Sequence, residues 1–421
     1  MSSSFAPFSH LSQELIDEII DSVLDTPGTA MIKPTKSHLC ALALVYSGFR
    51  HRAQKHIFYS MPILSRTRQA SYRDGINALH AILQENPRIA SYVRWICFHI
   101  DSNIIEWAFD DPLFLQIMEL ITKTWAQGME LALSISGGSG DSQLFNNRSF
   151  EMRFVKPFVT PFITSLDLHY MRGVPLCLVA HCPHLKELTL NSVSMEAARP
   201  LNAIAIDNSL RPRPQKFTFE SHGDTIRFLT ATYIDFSHLQ HLTVSGYSSL
   251  LEELPDIMRI LDASFNSLQC LELECVSVEG LLSTFYDLSR IPNLVVLSIS
   301  TVDLNDIDPC TDICILLRTI SSRKNKLKKI ALGFERNIDA PLSLERYLTK
   351  LETGRPLSTV LGEIAGQEQL VVKIGLQISL NYSEEMKGKW KEEMEPWVVK
   401  NVDLMTKFSS NVSLVFDYEF Y

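Results

Sequence analysis

The sequence predicts an α/β chain in two parts, a short helical module at the N-terminus and a long solenoid of strand–helix repeats behind it. Three observations lead there. Between Leu11 and Phe58, apolar residues recur at three- and four-residue steps, the spacing of one helix face. From Val93 onward a frame of apolar-x-x-apolar-x-apolar returns repeatedly, and its last three places alternate as a strand with one buried face does. The 421 residues are 46% hydrophobic and 21% charged, a globular balance with enough apolar mass for one long array or several ordinary domains.

The first helix is expected over Leu11–Asp25. Leu11, Leu15, Ile16, Ile19, Ile20 and Val23 share one side, and Gln13, Glu14, Asp17, Glu18 and Asp21 share the other. Ser9 or Ser12 can cap its start, and the early acids suit the positive end of the helix dipole. The insert Thr26–Lys36, with Pro27, Gly28 and Pro34, breaks the pattern. A second helix is expected over about Ser37–Val45 and a third over about Ser47–Tyr59, with Phe49, Ala53, Ile57 and Phe58 apolar. Three short helices make a small core. This segment holds more apolar surface than such a unit can bury internally, which points to a partner or to packing on the rest of the chain.

Residues Leu11-Ser-x-Glu-Leu15-Ile16-x-x-Ile19-Ile20, then Leu44-Val45-Tyr46-Ser47-x-Phe49, then Arg50-x-Arg52-Ala53-x-x-His56-Ile57-Phe58 resemble an F-box. The match is closest to the F-box-like modules of large fungal families, which read roughly LPxELIDxII, LxxCSLVSRxW and RxHLFxxI, and it covers only the first sixty or so residues. Ser12 stands where proline is usual, Phe49 where tryptophan is usual, and the Thr26–Lys36 insert is long for the first loop.

From Asp74 a helix, GINALHAILQENP, runs to Asn86-Pro87. The strand frame then opens at Val93/Ile96/Phe98. It recurs at Ile163/Leu166/Leu168, Leu185/Leu188/Leu190, Leu239/Leu242/Val244, Leu268/Leu271/Leu273, Leu294/Leu297/Ile299 and Leu327/Ile330/Leu332. Phe217/Phe219 is a weaker copy, Leu131/Leu133 and Ile374/Leu376 read as further ones, and Leu414/Phe416 closes the series. The steps between first positions are 22 residues (163 to 185), 29 (239 to 268), 26 (268 to 294) and 33 (294 to 327), and the 54 from 185 to 239 spans two repeats through the phenylalanine pair. Most lie near the roughly 20–29 residues of a leucine-rich repeat. Helices are expected between strands at Leu250–Ala263, Glu279–Ser289 and Cys310–Ser321. Strand then helix at this period stacks into a solenoid, with parallel strands on the concave side and helices on the convex side. The repeats are irregular: the asparagine usual after such a strand is mostly missing, with Asn191 the best example.

The organisation is therefore an F-box-like helical module over 9–62, a helical linker packing on the array over 63–90, and an irregular leucine-rich-repeat-like solenoid over 91–421. Ser134–Arg148 reads as a flexible polar loop, Ala340–Gln369 as an insertion, and Lys387–Lys400 as an amphipathic helix near the C-terminal end.

Bulk properties exclude several function classes. A net charge of −9 argues against nucleic acid or an anionic membrane as the main ligand. The basic run Arg323–Lys329 reads as a solvated loop. No signal peptide and no apolar run of membrane-spanning length is present, so a soluble cytoplasmic or nuclear protein with reduced cysteines is expected.

No constellation of catalytic residues stands out. Gly137-Gly138-Ser139-Gly140 lacks the following Lys-Ser/Thr of a phosphate loop. His169, Cys177, His181, Cys182 and His184 crowd together, but HCPHLKELTL has the ordinary form of a turn leading into a repeat strand, so no metal or cofactor is expected. Cys270/Cys275 and Cys310/Cys314 read as core packing. What remains is surface. Residues alternating with the buried leucines face outward on the strands, and Asp167, His169, Glu187, Thr189, His241, Thr243, Glu272, Glu274 and Ser298 are the candidates for contact with a protein target.

The resemblance implies a function for this layout. It implies a substrate-recognition subunit of a cullin–RING ubiquitin ligase, docking a SKP-type adaptor through the N-terminal helices and an unidentified protein through the array. Leu11, Leu15, Ile16, Ile19, Leu39, Leu42, Val45 and Phe49 are the expected docking set, and some of them must also hold the module together. The other reading open at this point is a non-enzymatic leucine-rich scaffold whose N-terminal helices only cap the solenoid. In that case Leu15 and Ile19 should be buried against the repeats.

Overall fold

The computed structural model describes residues 11–24, 36–64, 69–100, 109–125, 129–137, 150–195, 211–220, 233–246, 250–276, 287–302, 309–321, 326–338, 355–365, 369–380 and 412–420. The chain divides into two compact units, Met1–His169 and Tyr170–Tyr421. The insert after the first helix up to residue 35, most of the expected helix at Glu279–Ser289, most of Ala340–Gln369 outside one helix, and all of Lys387–Lys400 lie outside the described residues.

The first unit opens with three helices, α1 (Gln13–Leu24), α2 (Lys36–Val45) and α3 (Ser47–Ile57). Ser12 caps α1: its Oγ accepts the Leu15 N–H at 3.4 Å. Ile16 and Ile20 on α1 pack with Phe49 on α3, and Leu42 and Tyr46 close over them. Tyr46 and Phe49 meet edge to face at 5.3 Å. Gln13 Nε2 donates to the Gly48 carbonyl at 2.9 Å, a second tie between α1 and the start of α3.

Asp21 is the polar rivet between α1 and α3. Arg52 Nε donates to its Oδ1 at 2.7 Å, Arg52 Nη2 pairs with its Oδ2, and His56 Nε2 lies 2.8 Å from Oδ1. The Arg52 hydrogen bonds hold the Asp21 carboxyl below its ordinary value of 3.8; burial pulls the other way and His56 adds to the lowering. A depressed carboxyl favours the folded state only while it is ionised, so its contribution is present above the ordinary carboxylate range and lost as pH falls through the folded value. Asp21→Asn should therefore cost about 1 kcal/mol at neutral pH, modest because both partners are partly solvated. The difference from the parent should shrink to nothing in strong acid. Thermal melts of both proteins stepped down in pH check this, and a gap that persists in acid would remove the ion pair as its cause.

The third helix runs almost directly into a strand. β1 (Ser60–Leu64) pairs parallel with β2 (Trp95–Ile100), β2 with β3 (Ala132–Gly137), and β3 with the Ser165–His169 part of β4 (Ser165–Val174). The sheet thus begins at Ser60, within the span read from sequence as the tail of the helical module. Ser134–Gly137 also belong to β3 rather than to a loop. Parallel neighbours need crossovers, and helices supply them: α4 (Gln69–Glu85) and α5 (Pro87–Ala90) between β1 and β2, and α6 (Pro112–Thr122) between β2 and β3. Asp111 caps α6, its Oδ1 accepting the Leu113 N–H at 2.9 Å, with Pro112 at the first helical place. A π-helix, Glu151–Val159, leads to β4; the Thr160 N–H reaches back to the Val155 carbonyl at 2.9 Å. Phe98 from β2, Phe109, Phe114 from α6, and Phe150, Phe154 and Phe158 around the π-helix form one buried aromatic cluster, its ring-to-ring contacts 4.7–6.3 Å apart.

The second unit repeats the strand–crossover plan. β5 (Glu187–Met195), β6 (Lys216–Glu220), β7 (His241–Ser245), β8 (Cys270–Val276), β9 (Val296–Val302), β10 (Lys329–Ile338), β11 (Leu370–Leu380) and β12 (Val412–Phe420) each pair parallel with the next in chain order. A short α7 (Cys177–Ala180) precedes β5, α8 (Leu250–Ser264) joins β7 to β8, α9 (Pro309–Ser321) joins β9 to β10, and α10 (Arg355–Ala365) joins β10 to β11. The expected helices at Leu250–Ala263 and Cys310–Ser321 are thus present.

The apolar frame sets the register. Leu188 pairs with Phe217, Phe217 with Leu242, Leu242 with Leu271, Leu271 with Leu297 and Leu297 with Ile330, and all are buried. Two copies shift by two residues from their sequence alignment. Leu133/Ile135, rather than Leu131/Leu133, pair with Leu166/Leu168, and Val372/Ile374, rather than Ile374/Leu376, pair with Ile330/Leu332. A shift of two leaves every side chain on the same face, so alternation alone cannot detect it.

Two local motifs recur besides the frame. At the start of a strand, two successive N–H groups donate to one carbonyl, that of the residue just before the preceding strand. Gln240 and His241 donate to Gln215, Gln269 and Cys270 to Gln240, Val295 and Val296 to Gln269, and Lys328 and Lys329 to Val295. In the second unit, aspartate-capped 3-10 turns precede β7 and β9, with Asp235 Oδ1 accepting from Ser237 and Asp287 Oδ1 from Ser289. The molecule is an α/β protein of parallel strands in chain order with helical crossovers.

Candidate functional site

Two surfaces carry candidate residues, one on the N-terminal helices and one on the sheet. On α1 and the residues just before it, the apolar side chains form two stripes. Ile16 and Ile20 turn inward; Leu11, Leu15 and Ile19, at four-residue intervals, turn outward. Leu15 is 49% exposed and Ile19 44%. At the end of α2, Leu44 is 81% and Val45 74% exposed. The eight expected docking residues therefore separate by role. Leu11, Leu15, Ile19 and Val45 present apolar surface, Ile16, Leu39 and Phe49 are buried in the unit, and Leu42 lies half-buried against the module's core.

Leu44 is the most exposed large apolar residue among the described residues of this part and was not in that set. The sequence KSHLCALALV is apolar nearly all round, so periodicity does not say which of its leucines faces out. Among the described residues, no helix is long and apolar enough to cross a membrane.

The second surface is the strand face opposite the buried leucines. In the first unit it includes Asp167 and His169 on β4, with His169 Nε2 2.8 Å from Asp167 Oδ1. In the second unit the register sets out rows across the strands. One row reads Glu187, Lys216, His241, Cys270, Val296 and Lys329. The next reads Thr189, Thr218, Thr243, Glu272, Ser298 and Ala331. Of the target candidates, Glu187 and Glu274 are exposed, and Thr189, His241, Glu272 and Ser298 are half-buried. Thr243 is buried and acts through its neighbour, its Oγ1 donating to Glu272 Oε2 at 2.9 Å.

Charge concentrates at β7 and β8. Burial pushes Glu272 upward, but His241, Thr243 and Lys216 outweigh it and hold the carboxyl below its usual value. Glu274, two residues on and on the same face, is pushed the other way by partial burial and by the Glu272 charge. Burial and the Glu272 carboxylate push the Cys270 thiol up to about 11. Lys216 joins this face and was missed because the outward set took no residues from the phenylalanine copy; Lys329 reads as outward-facing from sequence and stands in the same row, but was not among the contact candidates. His241, Cys270 and Glu272 stand together only once the two strands are registered; in sequence, 241 and 270 sit a full repeat apart.

The histidine–cysteine crowd before β5 is a different environment. Cys177 and Cys182 are buried, Cys182 Sγ donates to the Leu178 carbonyl at 3.1 Å, and burial pushes its thiol up to about 12. Cys182 is thus packed in the interior as a protonated thiol, with Cys177 buried beside it. Set against known proteins, the chain matches no family model and no curated protein at a significant level.

Proposed function

We propose that this protein is a substrate-recognition adaptor of a cullin–RING ubiquitin ligase, acting in the cytoplasm or nucleus. Its N-terminal helices dock a SKP-type adaptor, and the outward strand face holds a protein target. One observation carries the reading: Leu15, Leu44 and Val45 expose large apolar surface on a module whose own core is already closed by Ile16, Ile20 and Phe49. Exposed apolar residues beyond what folding needs are the usual mark of a protein contact. The rival reading, in which the helices merely cap the repeats, needs Leu15 buried, and it is half exposed.

The resemblance of α1–α3 to an F-box supplies the identity of the partner, and the repeat-like parallel sheet supplies a face for the target. An interface of standard size would bury about 800 Å² on each side. No catalytic residue is needed in this chain. The assembly brings a target lysine near a separate enzyme, so the rate gain is one of proximity.

The test is direct. The full-length chain mixed with a purified SKP-type adaptor should co-elute with it on size exclusion as a one-to-one complex. Separate elution at micromolar concentration, with both proteins folded, would sink the proposal.

A further inference from the structure

Three side chains of metal-binding type converge on the outward face of β7 and β8. His241 lies directly opposite Cys270 across the parallel pair, and Glu272 is two residues further along the same face of β8. Their ligand atoms, a ring nitrogen, a sulfur and a carboxylate oxygen, all lie within 4.8 Å of one another. Glu272 Oε2 is 3.1 Å from His241 Nε2, and Glu272 Oε1 is 3.9 Å from Cys270 Sγ. A tetrahedral zinc ion, with bonds of about 2.1 Å to nitrogen or oxygen and about 2.3 Å to sulfur, holds its ligand atoms roughly 3.3–3.8 Å apart. These two separations, each to a different oxygen of Glu272, bracket that range, and rotation of the three side chains would bring one oxygen, the nitrogen and the sulfur round a common centre.

Two further features fit a ligand set better than a simple ion pair. His241 Nε2 is a buried atom that meets no hydrogen-bond partner at acceptable angles, although the Glu272 carboxylate is close by. A buried ring nitrogen left in that state needs an explanation. Thr243 Oγ1 donates to Glu272 Oε2 at 2.9 Å, the kind of outer hydrogen bond that orients a ligating carboxylate.

We propose that His241, Cys270 and Glu272 form a binding site for a divalent transition cation of the zinc type, with its fourth position open on the outward strand face. The nitrogen, sulfur and oxygen donor set is the borderline mixture that zinc accepts and that magnesium and calcium do not. Binding takes the neutral imidazole, the ionised carboxylate and the thiolate; the thiol proton leaves to solvent, no electrons move, and the loaded site is neutral.

The full-length chain, stripped with a chelator, should be titrated with cobalt(II) as the spectroscopic stand-in. One equivalent should bind with a near-ultraviolet thiolate-to-cobalt charge-transfer band, and added zinc should displace it. Cys270→Ser, which keeps the shape of the side chain, should abolish the band. His241→Gln and Glu272→Gln should weaken binding by at least about tenfold. Cys40→Ser, on α2, should change nothing. A missing band, a band that survives Cys270→Ser, or affinities unchanged in His241→Gln and Glu272→Gln would each overturn the site. Circular dichroism of each variant separates loss of binding from loss of fold.

Discussion

Replacing Phe154 with alanine is expected to destabilise the first unit by about 3–5 kcal/mol. Phe154 is fully buried at the centre of the aromatic cluster. Its ring lies 5.6 Å from Phe98, 4.7 Å from Phe109, 5.9 Å from Phe114, 5.6 Å from Phe150 and 6.3 Å from Phe158. These neighbours come from β2, from α6, and from the π-helix and the residues flanking them, so no single element can move inward to fill the gap. Truncation loses the transfer free energy of the ring, leaves a cavity and removes the aromatic pairs, and the expected cost covers all three together. A domain is stable by only about 5–15 kcal/mol, so this one change should consume a large share. Phe154→Leu, which refills most of the volume, should cost less than half as much. Chemical denaturation gives the difference, and hydrogen exchange should locate the loosened amides in β2, α6 and the π-helix. A cost below about 1 kcal/mol would mean that the cluster tolerates a void and is not the keystone of this unit.

The same cluster shows what the sequence discloses and what it conceals. Strand faces were legible because their signal is local: Leu188/Leu190, Phe217/Phe219, Leu242/Val244 and Leu271/Leu273 alternate with polar residues, and the pairing follows those positions. Register was legible only modulo two. In ELALSIS and in VVKIGLQISL the alternation continues past both ends of the frame, so two placements bury the same face equally well. Main-chain hydrogen bonds at the strand starts, Ala132 N–H to the Arg94 carbonyl and Val371 N–H to the Lys328 carbonyl, settle it, and they involve groups that carry no residue signature.

Elements were missed where composition misleads. β1 is SMPIL, five residues with a proline, just after a helix whose apolar pattern runs on through Phe58. α6 carried a usable signal, Asp111 and Pro112 before Phe114, Ile117, Met118 and Ile121 at helical steps. The π-helix carries Pro157, which argues against a regular helix. The candidate site divides in the same way. Which residues of α1 are apolar is plain from sequence, but Ile16 and Leu15 are adjacent and equally apolar, and only packing on Phe49 decides which one turns inward. The His241, Cys270 and Glu272 group is a product of register across a repeat, and no spacing within one segment announces it.

That adjacency gives the sharpest test of the docking face. Leu15→Asp combined with Leu44→Lys should abolish co-elution with a SKP-type adaptor while leaving the melting temperature nearly unchanged. Each charge is chosen to suit its helix: an acid in the first turn of α1 and a base in the last turn of α2 both favour the helix dipole. Neither side chain is needed by the core, so folding should lose only a few tenths of a kcal/mol. At an interface, a buried leucine contributes about 2 kcal/mol and an uncompensated charge adds a further penalty. Two such changes remove at least about 4 kcal/mol, close to a thousandfold in affinity. Ile16→Asp is the opposite case. Ile16 is 2% exposed, and a carboxylate there must leave the core or stay protonated, so this variant should lose the fold of the module and adaptor binding together. The single variants divide the face between α1 and α2: weakening by only one of them confines the contact to that helix. If Leu15→Asp with Leu44→Lys binds as tightly as the parent while Ile16→Asp does not, the complex depends on the module being folded and not on this apolar surface. The docking set would then have to be sought on the polar side of α1, among Gln13, Asp17 and Glu18.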